Sequence, residues 1–491
     1  MTLSVTNTLT GERETFEPAG DPVLLYVCGL TVSDRAHLGH ARLWLHADFL
    51  HRWLEFQGYD VRHVENVTDV NEKITARAGE PGLGADESAV AREFLEGTLA
   101  DMRGLNLRRA TVYPRVSGHI PEIIALIERL VEGGYAYESG GSVYFDVTAF
   151  PEYGRLSNQE LEELDPQGPE DERAEKRHPA DFALWKAGGV APDAVAEHRQ
   201  GPVPEEPPTG QTWESPWGEG RPGWHIECSA MSMTHLDETI DIHMGGQDLV
   251  FPHHENEIAQ SEAATGDEFA RYWLHVGLLQ QDGDKMSSSL GNFTTVAEAL
   301  DTWGPNVIRM FYAGAGYRTE QQLSAATLEE AADRWRRLER AHRGAVETID
   351  GVEASAKAAD EALRGTLETA REDFTAAMND DLNVRGASTA LLELASEVNR
   401  HLDGDPPYDY AGLHGAVQAF DELGGEVLGL QYDAVTDGRA SLAEELVELV
   451  LDVREAEREA GNYERADALR ADLEALGVAV EDTDDGPRYH I

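Results

Sequence analysis

The sequence predicts an α/β protein with a nucleotide-binding parallel sheet in its first half and helices in its second. Residues 22–30, PVLLYVCGL, form a short apolar run bounded by turn-forming residues, which is typical of a buried parallel strand. From residue 38 to residue 56 the apolar positions recur at helical spacing, and Gly58 ends that pattern. A strand, a glycine-bearing turn and a helix open a Rossmann-like unit, in which the helix N-terminus offers free N–H groups to phosphate.

Further strands are expected on both sides of the middle of the chain. Residues 60–70 alternate between apolar and polar side chains and place Thr68 near the carboxyl end of a second strand. Residues 272–280 are expected to form another strand. Thr295 and Glu298 have the spacing of a capping box, which predicts that a helix begins there.

A long block between these strands breaks the α/β pattern. Residues 113–206 contain a helical pattern at 121–131 and a predicted hairpin turn at Gly140 and Gly141. A proline-rich link at 202–208 closes the block. We therefore expect it to be an insertion between the two halves of the sheet domain.

The chain of 491 residues is too long for one core and predicts two or three domains. Apolar stripes at helical spacing indicate helices at 328–346 and 381–402, and the C-terminal VAVEDTDDGPRYHI predicts two short strands about a DDG turn. The predicted fold class is therefore α/β, with a Rossmann-like parallel-sheet domain containing the insertion, an α-helical bundle and a small α/β C-terminal domain. Their expected bounds, in chain order, are 1–315, 316–430 and 431–491.

The charge composition indicates adaptation to salt. The net charge is −52, and only five of the 40 basic residues are lysines. Self-repulsion of this size is screened in molar salt, where the Debye length is about 3 Å, so we interpret the chain as halophilic. A disordered acidic chain is excluded because hydrophobic residues make up 41% of the sequence and recur periodically.

The cysteine content and the N-terminus indicate the compartment. Two distant cysteines, Cys28 and Cys228, argue against a disulfide framework and for a reducing environment. The first 18 residues are polar and lack the apolar centre of a signal peptide. Since no run approaches the ~18 apolar residues of a membrane span, we expect a cytoplasmic protein without membrane contact.

Two motifs are suited to phosphate. HLGH places His37 and His40 at the strand-to-helix turn, three residues apart and on one helix face. KMSSSLGN, from Lys285 onward, is a polar loop that can donate hydrogen bonds, although serine- and glycine-rich loops are also common linkers.

A third constellation suggests a metal. Cys28 ends the first apolar run, Cys228 lies far downstream, and HHENE places His253 four residues and His254 three residues before Glu257. Either histidine can share a helix face with the carboxylate. Two thiolates, one imidazole and one carboxylate form a ligand set for zinc. The alternative is a pair of buried cysteines beside a hydrogen-bonded His/Glu cluster.

These motifs together resemble a known family. HLGH and KMSSS are similar to the two signatures of class I aminoacyl-tRNA synthetases. The segments YVCGLTVSDRAHLGHAR, GWHIECSAM, FPHHENEIAQSEA and KMSSSLGNF resemble the cysteinyl-tRNA synthetase family, in order, from about residue 5 to the C-terminus.

The resemblance implies roles at matching positions. It implies zinc ligands at Cys28, Cys228, His253 and Glu257. It implies contacts to substrate cysteine at Thr31, Thr68, Trp224 and Asp248. It implies contacts to ATP at His37, Gly39, His40, Lys285, Ser287 and Ser288, of which His37, His40 and Lys285 are the expected catalytic groups. One departure is Ser288, which stands where the family has the second lysine of KMSKS, so we expect weaker charge stabilisation there.

The implied activity is formation of cysteinyl-adenylate from L-cysteine and ATP with Mg²⁺, followed by transfer of the cysteinyl group to tRNA(Cys). The resemblance further implies that zinc recognises the substrate thiol, and we expect a monomer. Alternatives are a ligase that joins cysteine to an amino sugar with the same core, a non-catalytic tRNA-binding paralogue and a structural zinc protein. The sequence shows no long basic patch for RNA, so a few arginines acting at contact range would have to bind it.

Overall fold

The computed structural model describes residues 2–161, 172–281, 284–285, 294–351 and 358–432, with residues 164 and 166 and parts of 447–490. The chain divides into two compact units, Met1–Leu430 and Gln431–Ile491. Among the described helices we find none with the length and apolar content that a membrane span requires.

Strands and helices alternate through the first half of the larger unit, and helices dominate its second half. The strands of the chain are β1 (Ser4–Thr6), β2 (Arg13–Thr15), β3 (Val23–Thr31), β4 (Val61–Thr68), β5 (Ala136–Ser139), β6 (Ser142–Phe145), β7 (Phe182–Ala187), β8 (Gly220–Pro222), β9 (Ile240–Gly246), β10 (Ala270–Val276), β11 (Leu279–Gln281), β12 (Asp284–Lys285), β13 (Gln321–Leu323), β14 (Ala479–Thr483) and β15 (Gly486–His490). The α-helices of the larger unit are α1 (Leu38–Phe56), α2 (Glu72–Ala76), α3 (Glu87–Gly104), α4 (Ile120–Glu132), α5 (Pro192–His198), α6 (Trp224–His235), α7 (Glu255–Thr265), α8 (Val296–Tyr312), α9 (Ala325–Ile349), α10 (Glu361–Asn379), α11 (Val384–Leu402) and α12 (Tyr410–Ala419). Two π-helical segments, Val250–His254 and Phe420–Val427, precede α7 and follow α12.

The central sheet has four parallel strands in the order β10-β9-β3-β4. Most of their side chains are buried, as the continuous apolar run in the first strand along the chain predicted. Strands early in the chain lie on one side and later strands on the other, so the order reverses between β3 and β9. In open parallel sheets ligands bind at the carboxyl ends of the strands at such a reversal.

The predicted strand at 272–280 is two strands in different sheets. β10 ends at Val276, and β11 pairs instead with β12 and β13. The backbone turns away at Gly277, whose N–H donates to the carbonyl of Tyr317 and whose carbonyl accepts from Arg42. These contacts are distant in sequence, so the local pattern did not reveal the break.

Helix α1 follows the first central strand, as predicted, and a buried ion cluster fixes it. Arg309 of α8 donates to Asp48 of α1, and Nε of Arg52 lies 2.7 Å from the same carboxylate oxygen. Both guanidinium groups also donate to backbone carbonyls at the end of the helical region, Arg309 to Leu428 at 2.6 Å and Arg52 to Glu426 at 3.0 Å. The helix that begins at HLGH is thereby joined to the last residues of the larger unit.

Three strands within the expected insertion at 113–206 pair with β8, which lies beyond it, in an antiparallel sheet of the order β5-β6-β7-β8. The predicted hairpin is present, and Gly140 and Gly141 both have positive φ, at 63° and 85°, as a two-residue turn of this kind requires. Helix α4 packs its buried face, including Ile123 and Ile127, against this sheet. The last strand, β8, follows the proline-rich link and leads directly into α6.

The second half is helical, as predicted. The pattern at 328–346 corresponds to α9, which begins after the capping residue Ser324. The pattern at 381–402 corresponds to α11, which starts at Val384 because Asp381 and Leu382 have left-handed φ values of 59° and 51°. In the smaller unit β14 and β15 form the predicted antiparallel pair.

Candidate active site and metal centre

Four potential metal ligands meet at the carboxyl end of the central sheet. Cys28 lies in β3 and Cys228 in α6, while His253 lies in the π-helical segment Val250–His254 and Glu257 in the first turn of α7. One donor atom from each residue lies within 4.8 Å of the others, and all four side chains are buried. Two thiols, one imidazole and one carboxylate fit the preferences of zinc.

A bulge in β3 accompanies the placement of Cys28. The register between β3 and β4 shifts between Val27 and Leu30, and the N–H of Gly29 donates to Oδ1 of Asn66 at 2.7 Å. A Cβ at Gly29 would lie only 1.7 Å from the carbonyl oxygen of Asn66. Glycine is therefore required beside Cys28 for the backbones to approach this closely.

Contacts among the ligands place His253 at the centre of the cluster. Its Nε2 is 3.5 Å from Sγ of Cys228 and 2.9 Å from Oε1 of Glu257. Its Nδ1 lies 2.8 Å from Nδ1 of His225, and its ring centroid is 4.4 Å from that of Trp224. Partners on the far side of a ligating imidazole fix its orientation, which leaves Nε2 directed at the other donors.

Burial and charge shift the pKa values in this cluster. Burial alone would raise the pKa of Glu257, but His243 and His253 lower it to about 2. Burial opposes protonation of His253, yet Glu257 and Cys228 raise its pKa to about 10. The hydrogen bond to Cys28, together with burial, raises the pKa of the Cys228 thiol. Without a cation the carboxylate is thus charged and the thiol neutral.

A second group of buried histidines lies beside this cluster and was missed by the sequence reasoning. Nε2 of His243 is 2.7 Å from Oε2 of Glu257, and Nδ1 of His254 is 2.8 Å from Nε2 of His275. His243, His254 and Glu257 form a further set of closely spaced donors. His254 thus faces other histidines, whereas His253 faces the two thiols. The available signal was a histidine in each of two buried strands, β9 and β10.

The expected substrate residues surround the same end of the sheet. Thr31 and Thr68 are paired neighbours at the carboxyl ends of β3 and β4. Trp224 is 41% exposed although it packs on His253, so one side of its ring remains open to a ligand. Asp248 follows β9, and its charge contributes to raising the pKa of Cys28.

Glu227 was not expected at this site. It is buried one residue before Cys228, with Oε2 3.3 Å from the hydroxyl of Thr68. Burial raises the pKa of Glu227 well above its usual value. A lone glutamate in an amphipathic segment gives no sequence signal of such a position.

The HLGH motif lies at the start of α1, the helix that follows β3. The rings of His37 and His40 stack with centroids 3.7 Å apart, and the backbone N–H of His37 donates to Nδ1 of His40 at 3.2 Å. Gly39, between them, is partly exposed in the first turn of α1. The N–H of Leu38 donates to the carbonyl of Thr294 at 3.0 Å, so the segment after KMSSS lies against HLGH.

The KMSSS motif itself is described only at its first residue. The backbone of Lys285 belongs to β12, which pairs with β11. The expected contacts at Ser287 and Ser288 lie outside the described residues, as does the Lys285 side chain.

Comparisons with known proteins agree with this arrangement. Residues 16–333 match the family described as tRNA synthetases class I (C) catalytic domain, residues 373–432 match the DALR domain, and residues 441–489 match the cysteinyl-tRNA ligase anticodon binding domain. The chain is 64% identical over 490 residues to a cysteine–tRNA ligase of Halobacterium salinarum, with 99% of each chain covered. It is 61% identical over 495 residues to a cysteine–tRNA ligase of Haloarcula marismortui, with 100% of each covered.

The fold also resembles a solved structure. Methionyl-tRNA synthetase of Mycobacterium tuberculosis in complex with methionyl-adenylate superimposes with a TM-score of 0.61 at 18% identity, covering 85% of this chain and 94% of that chain. The sheet, its order reversal and the family match define a class I aminoacyl-tRNA synthetase. Within that class, the full-length identity shows that the chain belongs to the cysteine–tRNA ligase family. The acidic composition agrees with the halophilic archaeal sources of these two relatives.

Proposed function

We propose that this chain activates L-cysteine with ATP, transfers the cysteinyl group to tRNA(Cys), and recognises the substrate thiol through zinc held by Cys28, Cys228, His253 and Glu257. The observation that carries the proposal is the position of these four donors. Cys28 lies in β3, the strand that leads into HLGH, and the donor atoms of Cys228, His253 and Glu257 lie close to it, beside the point where the order of the parallel sheet reverses.

The need for a metal follows from the selectivity problem. Serine differs from cysteine by one atom, and an apolar pocket distinguishes so small a change by only about 10–200-fold. Zinc bound by these residues would supply a preference for thiolate, because it lowers the pKa of a thiol and has much less affinity for an alcohol. Trp224, Thr31 and Thr68 would then orient the amino acid, with Asp248 available for its ammonium group.

The adenylation step requires positioning more than acid–base chemistry. The cysteine carboxylate attacks the α-phosphorus of ATP, a new P–O bond forms, and the bond to pyrophosphate breaks. No general base is needed because the nucleophile is already ionised. His37, His40, Lys285 and the N-terminus of α1 stabilise the charge on the phosphates, with Gly39, Ser287 and Ser288 nearby in the chain and Mg²⁺ accompanying ATP.

We expect the helical bundle and the C-terminal domain to bind the tRNA. We assign adenylate formation to residues 1–315 with the insertion at 113–206, contact with the tRNA stem to the bundle of 316–430, and anticodon recognition to 431–491. The family match at 441–489 supports the last assignment. We expect the chain to act as a monomer in the cytoplasm.

The experiment is cysteine-dependent exchange of pyrophosphate into ATP in high KCl, followed by charging of a tRNA(Cys) transcript. Both reactions are expected. His40→Asn should lower the exchange rate by about 10² or more, in line with the loss of one charge-stabilising donor, whereas His414→Asn, at an exposed position in α12, should not. Exchange without charging would support the amino-sugar ligase instead, and absence of exchange would support a non-catalytic paralogue.

A further inference from the structure

Helix α9 carries a basic segment in an otherwise strongly acidic chain. Residues 333–343 contain five arginines and two carboxylates, so the segment has a net charge of +3 in a protein whose net charge is −52. The sequence reasoning overlooked it because acidic residues interrupt the run. The charges separate only when the helix is formed.

Three of these arginines lie on one exposed face. Arg336, Arg340 and Arg343 are spaced by four and three residues, and all are exposed. The opposite face, with Trp335 and Leu338, is buried in the bundle. At 1.5 Å per residue this arginine stripe (Arg336, Arg340 and Arg343) is about 10 Å long.

Arg336 and Arg343 make ion pairs that remain largely exposed to solvent. Arg336 pairs with Asp333 while its side chain remains 65% exposed, and Arg343 lies 3.5 Å from Glu339 with 53% of its side chain exposed. Arg340 makes no ion pair with the residues that the structure describes. Exposed ion pairs of this kind contribute about 0–1 kcal/mol to stability. Replacing the carboxylate partner of such an arginine with another anion therefore costs little.

We infer that the arginine stripe binds the sugar-phosphate backbone of the tRNA between its acceptor end and its anticodon. The inference rests on the proposed function. In chain order the stripe follows the catalytic match, which ends at 333, and precedes the anticodon-binding match, which begins at 441. A tRNA engaged at both would pass the region that connects them.

The chemistry of the stripe suits RNA in a salt-rich solution. A guanidinium group binds phosphate through paired N–H donors, which gives directional contacts as well as charge. Contacts of this kind act at hydrogen-bond distance, within the Debye length of about 3 Å expected in molar salt. The arginine stripe can therefore bind RNA through direct contacts in molar salt, where the longer-range attraction of an extended basic surface would be screened.

The test is the double substitution Arg336→Gln and Arg340→Gln. We expect KM for tRNA(Cys) to rise about tenfold, the slope of log K for tRNA binding against log salt to fall in magnitude by about 1.5, and pyrophosphate exchange to stay unchanged. Asp333→Asn, which removes the carboxylate beside Arg336, should instead lower KM for tRNA.

Arg129→Gln is the matched control. Arg129 lies in α4, outside the bundle, is 48% exposed and pairs at 3.3 Å with Glu238, which is also exposed. Its substitution should leave tRNA binding unchanged. An equal loss in both variants, or an unchanged KM in the double variant, would overturn the inference.

Direct binding of the tRNA(Cys) transcript, followed by fluorescence anisotropy, separates this inference from the proposed function. Absence of cysteine-dependent pyrophosphate exchange in the wild-type chain would refute the proposed function. If tRNA binding still weakened in the double variant, the stripe would remain an RNA contact. Active wild-type chain with identical tRNA binding in the double variant would refute the stripe alone.

Discussion

His243 contacts the carboxylate of Glu257, with Nε2 of His243 2.7 Å from Oε2 of Glu257. The other oxygen of that carboxylate lies 2.9 Å from His253. The carboxylate is thus oriented by a histidine that is not itself one of the four proposed ligands. Contacts of this kind commonly change metal affinity by 10–100-fold.

The first prediction concerns this contact. His243→Leu should weaken zinc affinity by about 10–100-fold, because Glu257 loses the partner that orients it. Competition with a chromophoric chelator measures the affinity. His46→Leu is the control, since His46 is a buried histidine of α1 outside the cluster. Equal zinc affinity in the wild type and His243→Leu would show that this contact does not support the metal.

The second prediction concerns the ligands themselves. Cys228→Ser should reduce the bound zinc from about one ion per chain to a small fraction, because a serine hydroxyl is a poor zinc ligand. Metal analysis after dialysis measures the ratio. Ser232→Ala, one turn further along α6 at a buried position, should retain zinc. Full occupancy in Cys228→Ser would remove Cys228 from the ligand set.

The third prediction tests the bulge beside Cys28. Gly29→Ala should lower both stability and zinc affinity, because its Cβ would lie 1.7 Å from a backbone oxygen that cannot easily move. Thermal unfolding and the chelator competition give the two quantities. Gly20→Ala, where a Cβ has no neighbour within 4 Å, should change neither. Normal zinc binding in Gly29→Ala would contradict the proposed geometry.

The fourth prediction concerns the ion cluster of α1. Burial alone would raise the pKa of Asp48, but Arg309 and Arg52 lower it. A carboxyl with a lowered folded-state pKa stabilises the protein above its unfolded pKa of about 3.9, and this contribution is lost as pH falls through the folded pKa. Asp48→Asn should therefore cost about 3 kcal/mol of unfolding free energy at neutral pH, because it leaves buried arginines unpaired.

Urea unfolding in molar KCl measures this difference as a function of pH. The difference in unfolding free energy between the wild type and Asp48→Asn should become smaller below about pH 4. Asp301→Asn, at an exposed position of α8, should unfold like the wild type throughout. A constant gap at all pH values would show that the charge of Asp48 does not stabilise the cluster.

The fifth prediction concerns the altered signature. Ser288→Lys should raise the rate of pyrophosphate exchange, because it adds a positive charge where the family resemblance implies a lysine, and Lys285→Ala should lower it. Initial rates at saturating ATP measure both. The assignment of Lys285 would be wrong if Lys285→Ala left adenylation unchanged while Ser288→Ala abolished it.

Local pattern was sufficient for some parts of the fold. Helix α1 and the hairpin at Gly140 and Gly141 could be predicted because periodicity and turn chemistry are encoded in neighbouring residues. The break at Gly277 could not, since it depends on Arg42 and Tyr317, which are far away in sequence.

The candidate site, too, could be predicted from the sequence only in part. The residue types at Cys28, Cys228 and HHENE indicated a metal, but spacing left His253 and His254 equivalent. The family resemblance implied His253, and in the folded structure His253 is the one grouped with the two thiols. His243 and His275 gave only a weak signal, because a single histidine in an apolar strand is usually structural. Their role depends on two strands that become neighbours only in the folded sheet.

Binding of cysteine and serine to the zinc-loaded and the metal-depleted enzyme, compared by calorimetry in high KCl, tests thiol recognition most directly. If zinc recognises the thiol, metal depletion should weaken cysteine binding. The preference for cysteine over serine should then fall to at most about 10–200-fold, the range that an apolar pocket provides. Serine binding should change little. An undiminished preference for cysteine in the metal-depleted enzyme would contradict the account.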